Sequence, residues 1–337
     1  MLALKPIPRA LRFFAASPPR RWARAQFVPL LLLASAGNLF ADALGSLGSP
    51  RWHWTAATGA FCGGAMAEAG PRSERLAVVT GGNKGVGYFA AQQLLGAGLQ
   101  VVIACRSEAL AKEAAARLGC EYELLDISHS PSIEAFAKTL ESKYGRLDVL
   151  VNNAAIAFKA SDPTPFAGQT GPTLKTNFFG TAELTDRLLP LLRASAASGG
   201  QPRLVNVASM AGALRQVSPQ LQQQFSSPAL DRAGLDALVR KFAADVRAER
   251  HKQEGWGNSN YGFSKLAVIA YTKLVAREEG TGMRVNACCP GYCKTDMSNN
   301  RGGQSPEVGA RNAVLLALLP DSGPSGAFFQ NEANSAW

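Results

Sequence analysis

The stretch from Leu76 to Ala91 limits what this chain can fold into more than any other, because it combines a strand, a glycine-rich turn and the start of a helix. Leu76 to Val79 is a run of apolar, β-branched residues, typical of a strand buried on both faces. Glycines follow at Gly81, Gly85 and Gly87. Without side chains they let the backbone approach a phosphate, and the following helix points unpaired N–H groups at the anion. The stretch predicts a dinucleotide site, although glycine-rich turns without a ligand are also common.

The first 70 residues differ in composition from the rest of the chain. They hold seven basic residues against two acidic ones, are rich in alanine and lack the periodicity of a packed element. This composition is typical of a transit peptide, so we expect residues 1–70 to be a disordered leader that directs the protein to a plastid or mitochondrion. Val28 to Ala36 resembles the apolar core of a secretory signal, an alternative destination. Translation from Met66 would instead give a cytoplasmic protein without the leader.

The remaining residues, 71–337, show no pattern of a nucleic-acid or metal site. They hold 28 basic and 23 acidic residues without a basic stripe among aromatic residues, so we expect no nucleic-acid partner. His129 and His251 are isolated from each other and from the cysteines, and we expect no metal. The six cysteines form no C-x-x-C pair and are expected to be reduced thiols. No stretch predicts a stable membrane span.

A second predicted strand, Gln100 to Arg106, completes a βαβ unit with the first. In dinucleotide-binding folds the end of this strand carries a carboxylate for the ribose 2′-hydroxyl of NAD or a cation for the 2′-phosphate of NADP. Here the residue is Arg106, and Lys84 in the glycine-rich turn adds a second cation. The pair favours NADP(H), unless both are ordinary surface cations. Asp126, after the third predicted strand, is placed to accept a hydrogen bond from the adenine amino group.

Apolar strands and helices continue to alternate along the chain, which predicts an α/β fold with a doubly wound parallel sheet. Helices are expected at Glu108–Leu118 and Pro131–Tyr144, and further buried strands at Leu147–Ala155, Arg203–Ser209 and Met283–Gly291. Ligands bind at the carboxyl edge of such a sheet, so the residues that end these strands are candidates for the site.

A tyrosine and a lysine between Asn258 and Lys273 are candidates for proton transfer. Tyr261 and Lys265 are four residues apart in a predicted helix and therefore share a face. An ammonium within about 4–6 Å stabilises a phenolate and lowers the pKa of the phenol, which makes Tyr261 a better proton donor at neutral pH. The Ser209 hydroxyl is placed to hydrogen-bond the oxygen on which charge develops. Without the glycine-rich turn upstream, the same spacing would indicate only a surface pair.

Six segments of the chain match one known family. They are Thr80–Gly87, Asn152–Ala155, Ile156–Phe166, Lys175–Thr181, Asn286–Met297 and the tail SGPSGAFFQNEANSAW. With them the sequence resembles the classical short-chain dehydrogenase/reductase family, and in particular its carbonyl reductase branch. The resemblance spans about residues 73–337 and implies one Rossmann-type domain over 71–337. Ala155 departs from the family, which usually has glycine there, and its methyl group near the cofactor is tolerable but loosens the fit.

The resemblance also implies roles for individual residues. The catalytic residues would be Asn177, Ser209, Tyr261 and Lys265. Asn177 would disturb the hydrogen bonding of its helix and hold a water that passes protons to Lys265, which would also bind the nicotinamide ribose. The loop from Pro290 to Thr295 would hold the carboxamide and the phosphates. The predicted NADP(H)-binding residues are Gly81, Asn83, Lys84, Gly85, Val86, Gly87, Arg106, Asp126, Asn153, Ala154, Tyr261, Lys265, Pro290, Gly291 and Thr295.

Residues 213–256 read as an insertion of two amphipathic helices before the catalytic tyrosine. In carbonyl reductases a similar insertion covers the helices that other family members use to oligomerise, so the resemblance implies a monomer. It also implies NADPH-dependent reduction of ketones, aldehydes or quinones. Two alternatives remain: an NADP-dependent dehydrogenase of the same family acting on an alcohol, steroid or retinoid, and an NADPH-binding redox sensor without turnover. Cys289 is either a reactive thiol facing the substrate or a small buried residue.

Overall fold

The computed structural model describes residues 75–337. The predicted leader at 1–70 and the alternative start at Met66 lie outside these residues. Within them the strands are β1 (Leu76–Thr80), β2 (Gln100–Cys105), β3 (Glu121–Leu124), β4 (Val149–Asn152), β5 (Arg203–Val207), β6 (Arg284–Cys288), β7 (Phe328–Gln330) and β8 (Ala333–Ser335). They form one sheet in the order β3-β2-β1-β4-β5-β6-β7-β8.

Helices cover both faces of this sheet. They are α1 (Gly85–Gly96), α2 (Glu108–Leu118), α3 (Ser130–Tyr144), α4 (Phe166–Leu174), α5 (Thr181–Ala197), α6 (Pro219–Ser226), α7 (Arg232–Arg247), α8 (Asn260–Glu279) and α9 (Pro306–Ala317). Apolar residues of α1, α2 and α9 form one buried cluster with Ala77 and Val79, and those of α3, α5 and α8 form another with Leu76 and Val78. Because alternate residues of β1 enter different clusters, both faces of the strand are buried, as its unbroken apolar run predicts.

The pairing confirms the predicted doubly wound fold. Neighbouring strands from β3 to β7 are parallel, and only β8, at the edge, is antiparallel to its neighbour. Strands β7 and β8 have three residues each, too few to show a period, and were not predicted; α9 was not predicted either. Among residues 75–337, no helix combines the length and apolar character needed to cross a bilayer.

The insertion before α8 forms the two predicted helices, α6 and α7. Its apolar side chains pack onto α8, where the rings of Phe242 and Phe263 stack with centroids 3.8 Å apart. Trp256, at the end of the insertion, donates its indole N–H to the Asp245 carboxylate over 2.8 Å. Arg232, the first residue of α7, forms ion pairs with residues of α5 and α8. The insertion thereby packs on α8 and reaches α5 through the Arg232 ion pair.

Candidate active site

A cleft of about 780 Å³ lies at the carboxyl edge of the sheet. Between β1 and β4 the order of the strands reverses, which is where open α/β sheets bind ligands. The structure brings together at this cleft all but two of the predicted site residues. Those that line it are Gly81, Asn83, Lys84, Gly85, Val86, Arg106, Asp126, Asn153, Ala154, Ser209, Tyr261, Lys265, Pro290, Gly291 and Thr295. Gly87 and Asn177 do not line the cleft but lie behind its wall.

The glycine-rich turn is shaped by close contacts beneath it. Gly81 has φ +65°, a conformation that favours glycine. A β-carbon on Gly87 would lie 2.4 Å from the Asn153 side-chain nitrogen and 2.5 Å from the Gly81 carbonyl oxygen, so no other residue fits there. Asn153 in turn donates its amide to the Thr80 carbonyl over 2.9 Å. Gly87 and Asn153 therefore hold the turn against the end of β1.

Charged groups surround the outer end of the cleft. Arg106 is exposed there, and the Lys84 ammonium lies 2.7 Å from an Asp296 carboxylate oxygen. Their hydrogen bond and charge attraction lower the pKa of Asp296 below its ordinary value. Partial burial opposes ionisation of Asp126, but hydrogen bonds from Ser128 and the nearby Arg106 lower its pKa. The sequence predicted both cations but not Asp296, which follows Lys84 by 212 residues.

The catalytic helix, α8, begins within this cleft. Ser259 caps it by accepting a hydrogen bond from the Gly262 N–H over 2.9 Å. Lys265 is 4% exposed, and its ammonium donates to the Val207 carbonyl over 2.7 Å. The same nitrogen lies 5.7 Å from the centre of the Tyr261 ring, which confirms that the two side chains share a face. Burial lowers the pKa of Lys265 to about 8.

The pKa of Tyr261 differs from the sequence-based expectation. Its surroundings raise the pKa of the phenol to about 12 because burial penalises the charged form, while a hydrogen bond with Ser209 acts in the opposite direction. The expected lowering by Lys265 is therefore wrong. The physical reason is that burial of the phenol dominates, while the Lys265 ammonium donates its hydrogen bond to the Val207 carbonyl. Tyr261 is thus protonated at neutral pH, as a general acid must be.

Ser209 lies where β5 gives way to a short helical turn, Met210–Gly212. Its hydroxyl oxygen accepts a hydrogen bond from the Ala211 N–H over 3.1 Å. The turn rests directly on the catalytic helix, since a β-carbon on Gly212 would lie 2.7 Å from backbone atoms of Lys265. This contact places the Ser209 hydroxyl beside the Tyr261 phenol.

Asn177 lies in a π-helical turn, Lys175–Gly180, between α4 and α5. The predicted disturbance of the helix around this residue is present. The side chain is 1% exposed; its oxygen accepts from the Ile156 N–H over 2.8 Å, and its nitrogen donates to the Ile156 carbonyl over 2.9 Å and to the Ser264 hydroxyl over 3.0 Å. Asn177 therefore ties the loop after β4 to the catalytic helix. Its relay of protons to Lys265 through a water stays a prediction.

Apolar side chains that the sequence analysis missed form part of the cleft wall. Met210, Tyr292 and Met297 line the cleft and are 57%, 59% and 42% exposed. Each lies one or two residues after a predicted site residue, and this proximity in the sequence could have identified them. Cys289 also lines the cleft, is 4% exposed and accepts a hydrogen bond at its sulfur from the Gly291 N–H over 3.3 Å. Its reactivity toward electrophiles stays a prediction.

Comparisons with known proteins agree with this geometry. The short chain dehydrogenase family model matches residues 75–250, and an enoyl-(acyl carrier protein) reductase model matches residues 249–315. Carbonyl reductase (NADPH) 1 of Rattus norvegicus is 41% identical over 277 residues, which is 78% of this chain and 98% of that protein. The Homo sapiens protein of the same name is 41% identical over 278 residues, with the same two coverages of 78% and 98%.

Among solved structures, salutaridine reductase from Papaver somniferum is similar, with a TM-score of 0.69 and 30% identity. The match covers 76% of this chain and 99% of that one. A family model thus matches more than half of the chain, and the mammalian relatives are matched over nearly their whole length. The protein belongs to the short-chain dehydrogenase/reductase family, in its carbonyl reductase branch.

Proposed function

We propose that the protein is an NADPH-dependent carbonyl reductase that acts on ketones, aldehydes or quinones. One observation carries this proposal: Ser209, Tyr261 and Lys265 meet at the inner end of a cleft whose outer end presents Lys84 and Arg106. Proton-donating groups and cations for a 2′-phosphate therefore lie along one binding surface. The mammalian relatives, which are carbonyl reductases (NADPH) and share 41% of their aligned residues with this chain, support the same activity.

The residues of the cleft fit NADP(H). Gly81, Gly85 and Val86 of the glycine-rich turn line the cleft, and α1 begins there, so its unpaired N–H groups face a diphosphate. Lys84 and Arg106 would bind the 2′-phosphate, and Asp126 the adenine amino group. Pro290, Gly291 and Thr295 would border the nicotinamide half. When bound, NADPH supplies the hydride that is added to the carbonyl carbon.

Side chains of the protein supply the proton for the carbonyl oxygen and stabilise the negative charge that develops on it. Tyr261, which is protonated, donates its proton to that oxygen, so that one C=O group, one hydride and one proton become one alcohol. Ser209 donates a hydrogen bond to the same oxygen as charge develops on it. The ammonium of Lys265, held by the Val207 carbonyl, then stabilises the phenolate that is left behind.

A monomer and an organellar location are further parts of the proposal. The insertion packs on α8 through Phe242 and pairs with α5 through Arg232, which supports a monomer because part of this surface is occupied within one chain. Gel filtration of the purified protein tests the monomer. The basic, alanine-rich composition of residues 1–70 supports transit to a plastid or mitochondrion. N-terminal peptide mapping of the protein from its native cells tests the leader and would equally reveal a start at Met66.

NADPH consumption with menadione and with simple aromatic ketones tests the activity. We expect substrate-dependent oxidation of NADPH with formation of the alcohol or hydroquinone, and its loss in Tyr261→Phe. A family dehydrogenase of another substrate class would turn over a steroid, retinoid or alcohol in preference to these carbonyls. A redox sensor would bind NADPH without turning over any of them. Either result contradicts the proposed carbonyl reductase.

A further inference from the structure

The hairpin of β7 and β8 leads to Trp337, whose side chain lies behind the active-site turn. The Trp337 indole N–H donates to the Gly212 carbonyl over 3.0 Å. Gly212 is the last residue of the turn that follows Ser209. A residue 125 positions away in the chain is therefore hydrogen-bonded to the turn that presents the Ser209 hydroxyl.

Three contacts hold the turn from Ser209 to Gly212 in place. On the sheet side, the Ala208 N–H donates to the Cys288 carbonyl over 2.7 Å. Below it, the absence of a side chain at Gly212 allows direct contact with the backbone of α8. Within it, the Gly212 N–H donates to the Ser209 carbonyl over 2.9 Å. Trp337 adds a further contact, since its indole N–H donates to the carbonyl of the same glycine.

Trp337 is itself fixed in place. Its ring packs against a buried cluster that includes Ala208 and Cys289, both next to the active site. The Lys273 ammonium lies 5.6 Å from the centre of the ring and also donates to the Gly326 carbonyl over 3.2 Å. A cation at this distance from an indole face is attracted to it. The indole N–H therefore has a defined direction toward Gly212.

We propose that Trp337 is a positioning residue for Ser209: its indole N–H fixes the Gly212 carbonyl and so keeps the Ser209 hydroxyl beside Tyr261. The proposal rests on the proposed function for its kinetic consequence, because Ser209 then donates to the carbonyl oxygen. Loss of a donor to such an oxygen costs about 10² to 10³ in kcat. If the Ser209 hydroxyl is displaced but still present, only part of this rate contribution is lost. We therefore expect removal of the Trp337 indole N–H to lower kcat about tenfold.

Trp337→Phe tests this by removing the N–H donor and keeping an aromatic ring. Trp256→Phe is the matched control, since it removes one indole hydrogen bond, to Asp245, within the insertion. We expect kcat for the carbonyl to fall about tenfold in Trp337→Phe and to stay within about twofold in Trp256→Phe, since the Trp256 hydrogen bond lies within the insertion and not at the turn that presents Ser209. The dissociation constant of NADPH stays unchanged in both. An equal loss of kcat in both variants would show general destabilisation and overturn the proposal.

A double-mutant cycle separates positioning of Ser209 from any other role. In a Ser209→Ala background, Trp337→Phe is expected to cause no further loss, because the hydroxyl that it positions is gone. Losses that multiply would overturn the proposal. If Trp337→Phe folds poorly, Lys273→Met loosens the ring without removing the N–H. It should give a smaller loss of kcat, which also disappears in the Ser209→Ala background; persistence of the loss there would count against the proposal.

Hydrogen exchange gives a readout that does not depend on turnover. The Gly212 amide, bonded to the Ser209 carbonyl, should exchange faster in Trp337→Phe than in the wild type and at the wild-type rate in Trp256→Phe. Unchanged exchange of this amide in Trp337→Phe would refute the positioning role. If exchange responds as expected but no carbonyl is reduced by the wild type, the proposed function fails and the structural role of Trp337 stands.

Discussion

At the inner end of the cleft Lys265 is 4% exposed and donates to a backbone carbonyl, whereas at the outer end the side chain of Lys84 is 63% exposed and pairs with a carboxylate. Burial shifts the pKa values of Lys265 and Tyr261 to about 8 and about 12. The outer pair is open to water, where salt screens it and its net energy is small. The inner geometry is therefore fixed by packing before a ligand arrives, while the outer charges can exchange partners with a phosphate.

Tyr261→Phe is the substitution expected to have the largest effect. The variant keeps the ring and its packing but loses the proton donor at the inner end. General acid catalysis contributes about 10² to 10⁴ in rate, so kcat for carbonyl reduction should fall by at least about 100-fold. The dissociation constant of NADPH, measured by fluorescence titration, should change little because the phosphate-binding end is untouched. Turnover near the wild-type rate would exclude Tyr261 as the acid.

The pH dependence of the reaction should report Lys265. Its pKa of about 8 means that its charge is present at low pH and lost as the pH rises through that value. The value of kcat/KM for NADPH should therefore fall about tenfold per pH unit above about pH 8, since this ratio follows groups of the free enzyme. In Lys265→Arg the fall should move to higher pH, because a guanidinium stays protonated. A flat profile up to pH 10 would contradict the assignment.

Substitutions of the outer pair should have smaller, salt-dependent effects in opposite directions. Lys84→Ala removes a cation for the 2′-phosphate and should weaken NADPH binding about tenfold. Asp296→Asn removes the carboxylate that competes for Lys84 and should strengthen it about threefold at low salt, with little change at high salt. NADH, which lacks the phosphate, serves as the control ligand and should respond to neither change. Weaker binding of NADPH by Asp296→Asn would mean that Asp296 supports the cofactor and does not compete with it.

The features that sequence reveals best are those with a local pattern. Unbroken apolar runs identified β1 and β4 as strands buried on both faces, and the spacing of Tyr261 and Lys265 placed them on one helix face. The glycine-rich turn also indicated the position of the cleft. The close packing at Gly87 requires glycine, and the glycine is visible in the sequence.

The features that sequence did not reveal depend on atoms far apart in the chain or on the backbone. The acceptor for Lys265 is the backbone carbonyl of Val207. Every residue has such a carbonyl, so the sequence does not indicate which one accepts the hydrogen bond. Asp296 and Trp337 meet the site only through folding, at separations of 212 and 125 residues from their partners. The raised pKa of Tyr261 results from burial, which a helix pattern alone does not measure. Tertiary contacts, and not residue types, decide these properties.

The order of strands in the sheet also bears on how the protein is made. From β2 onward, each strand pairs with a strand that precedes it in the chain and that still has a free edge: β2 and β3 extend one side of β1, and β4 to β8 extend the other. No later strand has to enter between two that are already paired. The sheet can therefore assemble in the order in which a ribosome delivers its strands, without reopening any earlier pairing.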